Sequence, residues 1–329
     1  MNFATVFFNQ SVLITGGLGF IGSNLAKRLV DLGAIVTLVD NLDPDMGANM
    51  FNVVDVRDKL RILQADLGDD ELMASLVCQN QFLFNLAGQM SHLGSMQAPL
   101  KDLEINAVSQ LKLLETCRRE NPEIRIVFAG TRQVYGRANY LPVDEKHPLL
   151  PLDYNGVSKR AGEMYHMICH RIHGMWTSVL RMTNVYGPRM RVQDDRLTFI
   201  GWWFRQLLDG NTLPVFGDGK QVRDLNYVED VVDALLLCVI HPCAAGKIYN
   251  LGGEPINLFN LANLLVEING GGSCARVPFP EDRKRIDIGD YFGDYRLIKN
   301  DLGWSPQVPL REGLARTLDF YREHREHYW

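Results

Sequence analysis

The sequence predicts an α/β fold in which a doubly wound parallel sheet carries a smaller C-terminal lobe. Three observations support this prediction. Apolar, β-branched runs alternate with helix-like segments through the first half of the chain, a glycine-rich turn joins the first run to the first helix, and the residues after Arg181 follow a different, turn-rich pattern. Alternation of this kind places the strands side by side in one parallel sheet with helices on both faces.

The first half of the chain supplies the strands and helices of this sheet. The strand candidates are the apolar runs 11–15, 34–39, 60–64, 82–86, 125–129 and 177–181. Segments 21–32, 103–120 and 157–173 have the apolar spacing of helices. The apolar stretch 1–14 lacks the basic start and the small-residue cleavage site of a secretion signal, so we expect it to form the first buried strand.

The second half of the chain predicts a separate, smaller lobe. Turn signals at 186–188, 216–219 and 278–280 interrupt it, and no comparable series of strands follows Arg181. We therefore divide the chain into a dinucleotide-binding domain of residues 1–183 and a substrate-binding lobe of residues 184–329, with some segments of the lobe returning to the first domain. The charged tail 312–327 predicts a solvated terminal helix.

Composition excludes several classes of partner. The chain has 329 residues, of which 46% are hydrophobic, and a net charge of −5 from interspersed acids and bases. It has no basic block that would neutralise a nucleic acid or an anionic membrane, and no apolar run that approaches the roughly 20 residues of a membrane span. We expect a cytoplasmic protein with neither a nucleic acid nor a membrane as partner.

Cysteine and histidine patterns indicate neither disulfides nor a metal site. The six cysteines are scattered without a CxxC pair, so they are expected to be reduced core thiols. His166, His170 and His173 fall at helical spacing but have no acidic or cysteine partner in the motif. We expect no bound metal.

The glycine turn after the first strand predicts a dinucleotide site. Gly16, Gly19 and Gly22 lie between a strand and a helix, where glycines let the backbone approach a pyrophosphate that the helix N-terminal amides bind. Asp40 ends the second strand, 18 positions after Gly22, where a carboxylate binds ribose hydroxyls and repels a 2′-phosphate, so NAD is favoured over NADP. Residues expected around this part of NAD are Gly16, Gly19, Phe20, Ile21, Gly22, Asp40, Asn41, Asp66 and Leu67.

A series of ordered motifs gives the chain a family resemblance. They are Thr15 to Gly22, Asp66-Leu67, Asn85-Leu-Ala-Gly88, Asn106 before a leucine-rich helix, Thr131-Arg-Gln-Val-Tyr-Gly136, Ser158-Lys159, Leu180 to Pro188, Gly217-Asp-Gly219, Arg223 to Asp230 and Leu302-Gly-Trp304. With these motifs the sequence resembles the extended short-chain dehydrogenase/reductases, the NAD-dependent sugar-nucleotide epimerases and dehydratases, and within them the UDP-glucose 4-epimerases. The resemblance covers almost the whole chain.

The resemblance implies a role for particular residues and an oligomeric state. Leu86, Ala87, Gly88 and Asn106 would line the nicotinamide side of NAD, and Lys159 would bond its ribose. Asn184 and Arg223 would hold the diphosphate of a nucleotide sugar, with Arg283 or Arg285 as a further phosphate contact, because the planar fork of arginine offers paired donors. Relatives commonly pair through two helices per subunit, here 103–120 and 157–173, so the resemblance implies a homodimer.

One residue departs from the family pattern. Family members usually carry Tyr-x-x-x-Lys, whose tyrosine takes the proton of a sugar hydroxyl, and a Ser or Thr that polarises the same hydroxyl. Thr131 and Lys159 match, but Asn155 occupies the tyrosine position, and an amide is no general base near neutral pH. Tyr154 is one candidate substitute, although one position along a helix rotates a side chain by about 100°.

Other residues are weaker candidates for the work of the missing tyrosine. Tyr135 follows Thr131 in the same motif and is expected to be structural. His92 and Ser95 lie in the loop after the fourth strand, at the edge where doubly wound sheets bind ligands, and we expect Ser95 to contact the substrate. Histidine is the residue type whose ordinary pKa suits proton transfer near neutral pH, but His92 is a single loop histidine.

The residues after Thr131 narrow the reaction. Relatives that remove water from the sugar generally have Asp-Glu at the two positions after the catalytic Thr. Relatives that decarboxylate a uronic acid usually keep the Glu. This chain has Arg132 and Gln133 at these positions, so the resemblance disfavours both reactions. Elimination leaves NAD-dependent epimerisation of a nucleotide-activated sugar through a keto-sugar. Two alternatives stay open: a dehydratase with atypical acid/base residues, and a catalytically silent protein that binds NAD and a sugar nucleotide.

Overall fold

The computed structural model describes residues 2–329. Its strands are β1 (Ser11–Thr15), β2 (Ile35–Asp40), β3 (Leu60–Gln64), β4 (Phe82–Asn85), β5 (Arg125–Thr131), β6 (Thr177–Met182), β7 (Asn184–Tyr186), β8 (Leu213–Phe216), β9 (Val222–Arg223), β10 (Leu225–Tyr227), β11 (Ile248–Asn250), β12 (Ile256–Asn257) and β13 (Cys274–Val277). Its α-helices are α1 (Phe3–Phe7), α2 (Phe20–Asp31), α3 (Asp70–Gln79), α4 (His92–Gln97), α5 (Pro99–Leu103), α6 (Ser109–Glu120), α7 (Tyr154–His173), α8 (Phe199–Leu208), α9 (Val228–Ile240), α10 (Leu258–Asn269), α11 (Glu281–Arg285), α12 (Arg296–Leu302) and α13 (Leu310–Glu323).

The central sheet has seven parallel strands in the order β11-β6-β5-β4-β1-β2-β3. The winding direction reverses between β1 and β4, where Thr15 lies opposite Asn85. In open sheets of this kind, ligands bind outside the carboxyl ends of the strands at the point of reversal. The prediction of a doubly wound α/β fold is confirmed, and the topology places the expected site beside the glycine turn.

The sheet is covered on both faces, as the apolar runs require. Neighbouring residues of β1 point in opposite directions: Ile14 packs in a core with α2 and α9, whereas Leu13 packs in a second core with α3 and α6. Helix α7 packs against β5 and β6, alongside α6. Because both faces are buried, the strands are apolar at nearly every position rather than at alternate ones.

The smaller lobe has its own apolar core, built around Trp203, Phe204, Leu261 and Leu314. Three short strand pairs, β10 with β7, β12 with β9 and β13 with β8, frame it. In contrast, β11 pairs with β6 of the central sheet, and α9 packs against α2. These segments return from the second half of the chain to the first domain. The division at residues 183 and 184 stays a prediction.

Both ends of the chain differ from the sequence expectations. The segment expected to be strand from residue 1 contains the short helix α1, which begins after the capping side chain of Asn2, and only residues 11–15 form the strand. The tail helix is not solvated all round, because Leu314, Leu318 and Tyr321 are buried against the small-lobe core. Charged residues on its outer face hid this apolar stripe, which has helical spacing.

The predicted helix 103–120 contains an irregular turn. Residues Glu104–Val108 form a π-helical turn between α5 and α6, and this turn carries the buried Asn106. Such turns are frequent at functional sites. Among residues 2–329, no helix is long and apolar enough to cross a membrane.

The cysteine and histidine side chains also depart from part of the prediction. Cys78 and Cys243 are exposed, so not all six cysteines are core thiols. His166 is buried, and its ring contacts the Gly162 carbonyl at 2.7 Å. Burial lowers the pKa of His166 to about 4. In the described part of the chain, no group of three or more histidine, cysteine or acidic side chains could hold a metal ion.

Candidate active site

A cavity of about 470 Å³ opens at the carboxyl edge of the central sheet, between the sheet and the small lobe. It brings together most of the residues predicted from the sequence. The predicted residues that line it are Gly16, Gly19, Phe20, Ile21, Gly22, Asp40, Asn41, Asp66, Leu67, Leu86, Ala87, Gly88, Thr131, Asn155, Lys159, Asn184, Arg223 and Arg283.

Four predicted residues lie outside this lining. Tyr154 is the first residue of α7 and is 49% exposed. Because Tyr154 and Asn155 both belong to the helix, their side chains are rotated by about 100° from each other, and Tyr154 points outward. Ser95 is fully buried and donates to the His92 carbonyl at 2.7 Å. Asn106 is buried behind the cavity wall, and Arg285 is exposed on α11.

The glycine turn is shaped for a pyrophosphate. Gly16 has a positive φ of 68°, and a Cβ on Gly22 would lie 2.2 Å from the Gly16 carbonyl oxygen. The N-cap of α2 is Gly19, which has no side chain to cap the first turn, so the amides of Phe20, Ile21 and Gly22 remain free. These amides and the positive end of the helix dipole fit the two phosphates of a dinucleotide.

Asp40 lies where the sequence predicts the ribose-binding carboxylate. Its two oxygens accept the backbone amides of Leu18 and Leu42, both at 2.9 Å. Burial raises the pKa of Asp40, and the backbone hydrogen bonds oppose that rise. A carboxylate has about four acceptor positions, so Asp40 keeps acceptor capacity for a ribose hydroxyl.

The opposite end of the cavity is formed around Lys159. Its Nζ lies 3.5 Å from the Ala129 carbonyl oxygen and 5.3 Å from the centre of the Phe128 ring. Burial lowers the pKa of Lys159 to about 8, and the charge of Asp102 opposes this. A Cβ on Gly88 would lie 2.4 Å from Nζ, so glycine at this position leaves the ammonium room.

Asn155 is held in one orientation by a buried polar cluster. Its Nδ2 donates to the Gln89 carbonyl at 2.8 Å and to Oδ2 of Asp102 at 3.0 Å. Asn106 donates to the same two acceptors, at 3.0 and 3.1 Å. Asn155 lines the cavity, and both of its amide hydrogens are used. Its Oδ1 is therefore the side-chain atom left to accept a hydrogen bond from a ligand.

Thr131 and the two residues after it begin a tight turn at the end of β5. Thr131 Oγ1 accepts the Gln133 amide at 3.2 Å, which leaves its hydroxyl hydrogen for a ligand. Arg132 Nη2 donates to Asn184 Oδ1 at 3.0 Å, and Gln133 Nε2 donates to Asp153 Oδ2 at 2.9 Å. Neither residue is an acid or base.

Four arginines line the small-lobe side of the cavity. Arg196, Arg223 and Arg283 each have a carboxylate partner within 4.0 Å, from Asp194, Asp287 and Asp195 respectively. Among the described residues Arg132 has no such partner. Burial lowers the pKa of Arg132, and the more distant charges of Tyr291 and Asp224 oppose this.

Sequence reasoning missed two acidic residues of the site. Asp102 and Asp153 belong to no recognisable motif, although Asp153 precedes a predicted helix and so had the signal of an N-cap. Both are buried, and both contact side chains of the cavity wall. Tyr135 is structural as expected: its hydroxyl donates to Asn250 at 2.7 Å and accepts from Arg181 at 2.6 Å.

Comparison with known proteins identifies the family. The model of the NAD dependent epimerase/dehydratase family matches residues 12–252. The chain belongs to this family. Family membership agrees with the glycine turn, Asp40 and Lys159, which fit NAD, the cofactor of the family and of this protein.

Individual relatives have two different activities. A putative UDP-glucose 4-epimerase from Methanocaldococcus jannaschii is 31% identical, over 94% of this chain and 98% of that protein. A dTDP-glucose 4,6-dehydratase from an Actinoplanes species is 32% identical, over 97% of this chain and 100% of that protein. The crystal structure of a UDP-glucose 4-epimerase from Thermotoga maritima with UDP-glucose has a TM-score of 0.88, 30% identity, and coverage of 96% of this chain and 100% of that one.

Proposed function

We propose that this protein epimerises a nucleotide-activated sugar with NAD, through transient oxidation to a keto-sugar. The observation that carries the proposal is the turn after β5. Thr131 faces the cavity beside Lys159, while Arg132 and Gln133 stand where loss of water would need an acid and a base. Hydride removal and return need no such pair, so epimerisation is the reaction that these residues support best.

The chain's own residues perform distinct tasks in this scheme. NAD, held by the glycine turn, Asp40 and Lys159, would supply a reversible hydride acceptor for the sugar carbon. Lys159 would hold the cofactor ribose, Thr131 would donate a hydrogen bond to the reacting hydroxyl oxygen, and Asn155 Oδ1 would accept one from a neighbouring hydroxyl of the sugar. Excluding water from the cavity strengthens these contacts.

The nucleotide sugar would bind at the small-lobe side. Asn184 and Arg223 are proposed as ligands of the diphosphate, as the family resemblance implies, and Arg283 as a further contact. We add Arg132, because it is the cavity arginine without a carboxylate partner and has a single hydrogen bond, to Asn184. A guanidinium has five donors, so an anion at this point would complete its interactions.

The working state is proposed to be a homodimer. Apolar side chains of α7 are exposed in a stripe at helical spacing, with Val157 at 54%, Ile168 at 41% and Ile172 at 69%. Leu103 and Leu111, on the neighbouring helices, extend it at 45% and 41%. A second copy of the same face would bury this stripe, since homodimer interfaces are richer in apolar area than ordinary surface.

The test is incubation of the purified protein with NAD and a panel of UDP-, dTDP-, GDP- and CDP-sugars in deuterated water, followed by NMR and mass spectrometry. A stereoisomer of unchanged composition is expected. Deuterium at the inverted carbon would indicate an enol instead of simple hydride return. A product lighter by one water would replace the proposal with dehydration.

The silent-binder alternative is tested in the same experiment. It is favoured by Asn155, which the resemblance of the motif assigns to the position of the family's tyrosine. Calorimetry with each nucleotide sugar measures binding independently of turnover. Tight binding of a sugar nucleotide together with complete recovery of every sugar would reject epimerisation for that panel.

A further inference from the structure

The cavity contains a histidine whose role is not explained by the binding of NAD or of the diphosphate. His92 is the first residue of α4, directly after the loop that follows β4. Its side chain is 35% exposed and lines the cavity together with Thr131, Asn155 and Lys159. Imidazole is the side chain whose ordinary pKa lies nearest neutrality, so an accessible histidine here has the chemistry that Asn155 lacks.

A buried carboxylate lies behind this histidine. Oδ2 of Asp153 is 3.0 Å from Nδ1 of His92 and also accepts Nε2 of Gln133 at 2.9 Å. Oδ1 accepts the backbone amide of Gly156 at 2.7 Å, which caps α7. Asp153 is therefore held by two hydrogen bonds, and its carboxylate lies within hydrogen-bond distance of one side of the His92 ring.

The charge of Asp153 is maintained in spite of burial. Burial would raise the pKa of this carboxyl, but the contact with His92 and the donors Gly156 and Gln133 lower it below its ordinary value. An ionised carboxylate at Nδ1 favours the tautomer with hydrogen on Nδ1 and leaves the lone pair on Nε2. The ring is not yet aligned for a straight hydrogen bond. Catalytic hydrogen bonds commonly tighten when substrate binds.

We propose that His92 is the acid/base residue of this enzyme, with Asp153 as its positioning residue, in place of the family's tyrosine. The inference rests on the proposed function. In the forward step the sugar O–H bond breaks and its proton goes to Nε2 of His92. The C–H bond breaks with its electron pair going to NAD, and a C=O bond forms. In the return step the hydride reaches the other face of the C=O carbon, and His92 gives the proton back to oxygen.

Other groups around the cavity are less suited to this exchange. Asn155 cannot take a proton, Tyr154 points away from the cavity, and the Tyr135 hydroxyl is occupied by Asn250 and Arg181. Lys159 is the remaining rival, since burial lowers its pKa to about 8. Its ammonium is enclosed by Phe128 and the Ala129 carbonyl, whereas His92 reaches the cavity from a different element, the first turn of α4.

The kinetic test compares His92→Gln and Asp153→Asn with wild type on the sugar that wild type converts. Asparagine is as good an N-cap as aspartate, so Asp153→Asn keeps the helix cap and removes the charge. We expect His92→Gln to lower kcat by about 100-fold or more, and Asp153→Asn by about tenfold or more, with KM and the Kd of NAD within about threefold of wild type. The control is His173→Gln on the exposed end of α7, which should keep the wild-type kcat.

A second measurement does not depend on turnover. Nitrogen-15 NMR of the eight histidines, with His92 assigned by its loss in His92→Gln, reports the tautomer of each neutral ring. Hydrogen on Nδ1 of His92 in wild type, and its loss in Asp153→Asn, is expected. Hydrogen on Nε2 in wild type would overturn the pairing.

The outcomes separate this inference from the proposed function. If wild type is active and the kcat of His92→Gln is within about threefold of the wild-type value, the acid/base role of His92 is rejected and the proposed function stands. Lys159 then becomes the base to test. Wild type that converts no sugar rejects both proposals, because His92 would have no reaction to serve. A parallel fall in kcat and in the affinity for NAD would make His92 a structural residue of the cofactor site.

Discussion

Arg132 changes the chemistry that the motif after β5 can support, because an arginine stands where dehydratases of the resembling family carry an acid. The residue type alone shows that Arg132 cannot act as an acid. Only the structure shows that its guanidinium donates to Asn184 and that no carboxylate of residues 2–329 lies within 4.0 Å of it. Burial lowers its pKa, so the charged form is held at a cost that an anionic ligand would offset. Under the proposed function, the same residue disfavours loss of water and would bind the charged part of the substrate.

Arg132→Gln should weaken binding of the nucleotide sugar and leave NAD binding unchanged. We expect at least a tenfold rise in the Kd of the nucleotide sugar, since a hydrogen bond to a charged group contributes about 1.5–3 kcal/mol. Calorimetry with UDP alone and with the full nucleotide sugar separates a phosphate contact from a sugar contact. The matched control is Arg311→Gln on the exposed face of α13, and an unchanged Kd in Arg132→Gln would contradict the assignment.

Lys159 links stability to pH through its buried ammonium. Its pKa in the folded protein is about 8, below the ordinary 10.5. Between these values the unfolded chain binds a proton that the folded chain does not, so this group makes the folded state more stable as pH rises from 8 to 10.5.

The apolar variant Lys159→Met should reveal this linkage in the NAD-free protein. At pH 7 we expect it to be more stable than wild type by up to about 3 kcal/mol, and the difference should shrink as pH rises towards 10.5. Urea unfolding of wild type and Lys159→Met from pH 7 to 10.5 measures the difference in the free energy of unfolding and its change with pH. A difference independent of pH would show that Lys159 is not the titrating group.

At the scale of elements, the glycine turn was the most predictable part of the site. Its spacing, the strand before it and Asp40 after it constrain the backbone locally, so the sequence indicated that this turn would line the cavity, as it does. The His92–Asp153 contact was not predictable, because 61 residues separate partners that only the packing of α4 against α7 brings together. The direction of the Tyr154 side chain depends on the residue at which α7 begins, and helix boundaries are the least certain feature of a sequence pattern.

Gly22→Ala should damage the turn that holds NAD. The added Cβ would lie 2.2 Å from the Gly16 carbonyl oxygen, so the turn has to shift and its amides leave their positions. We expect the Kd of NAD to rise by tenfold or more, which corresponds to at least about 1.4 kcal/mol. Fluorescence or calorimetric titration with NAD measures it.

The control for this substitution is Gly271→Ala. An added Cβ at Gly271 meets no atom within 4 Å, and this glycine has no positive φ. NAD binding should therefore be the same as in wild type. Equal affinities in Gly22→Ala and Gly271→Ala would mean that the turn does not contact the cofactor.

At the scale of the whole molecule, the exposed stripe on α7 and the helices beside it is the surface through which the proposed dimer would form. Val157→Glu combined with Ile168→Glu should convert the proposed dimer to a monomer, because four charges would face one another across a symmetric interface. Light scattering after gel filtration gives the mass. Val54→Glu, at a position 56% exposed and outside the stripe, is the control that should leave the mass unchanged. Wild type with the mass of one chain would contradict the dimer.

The fixed amide of Asn155 also bears on how the keto-sugar would move. The reacting hydroxyl has one hydrogen, which the proposed step gives to His92, so Oδ1 of Asn155 would accept a bond from a neighbouring hydroxyl of the sugar. That neighbouring hydroxyl is not oxidised, so its bond to Oδ1 would persist while the ketone exists. Inversion requires the sugar to turn its opposite face towards the hydride, and this retained hydrogen bond would be the point about which the ring turns.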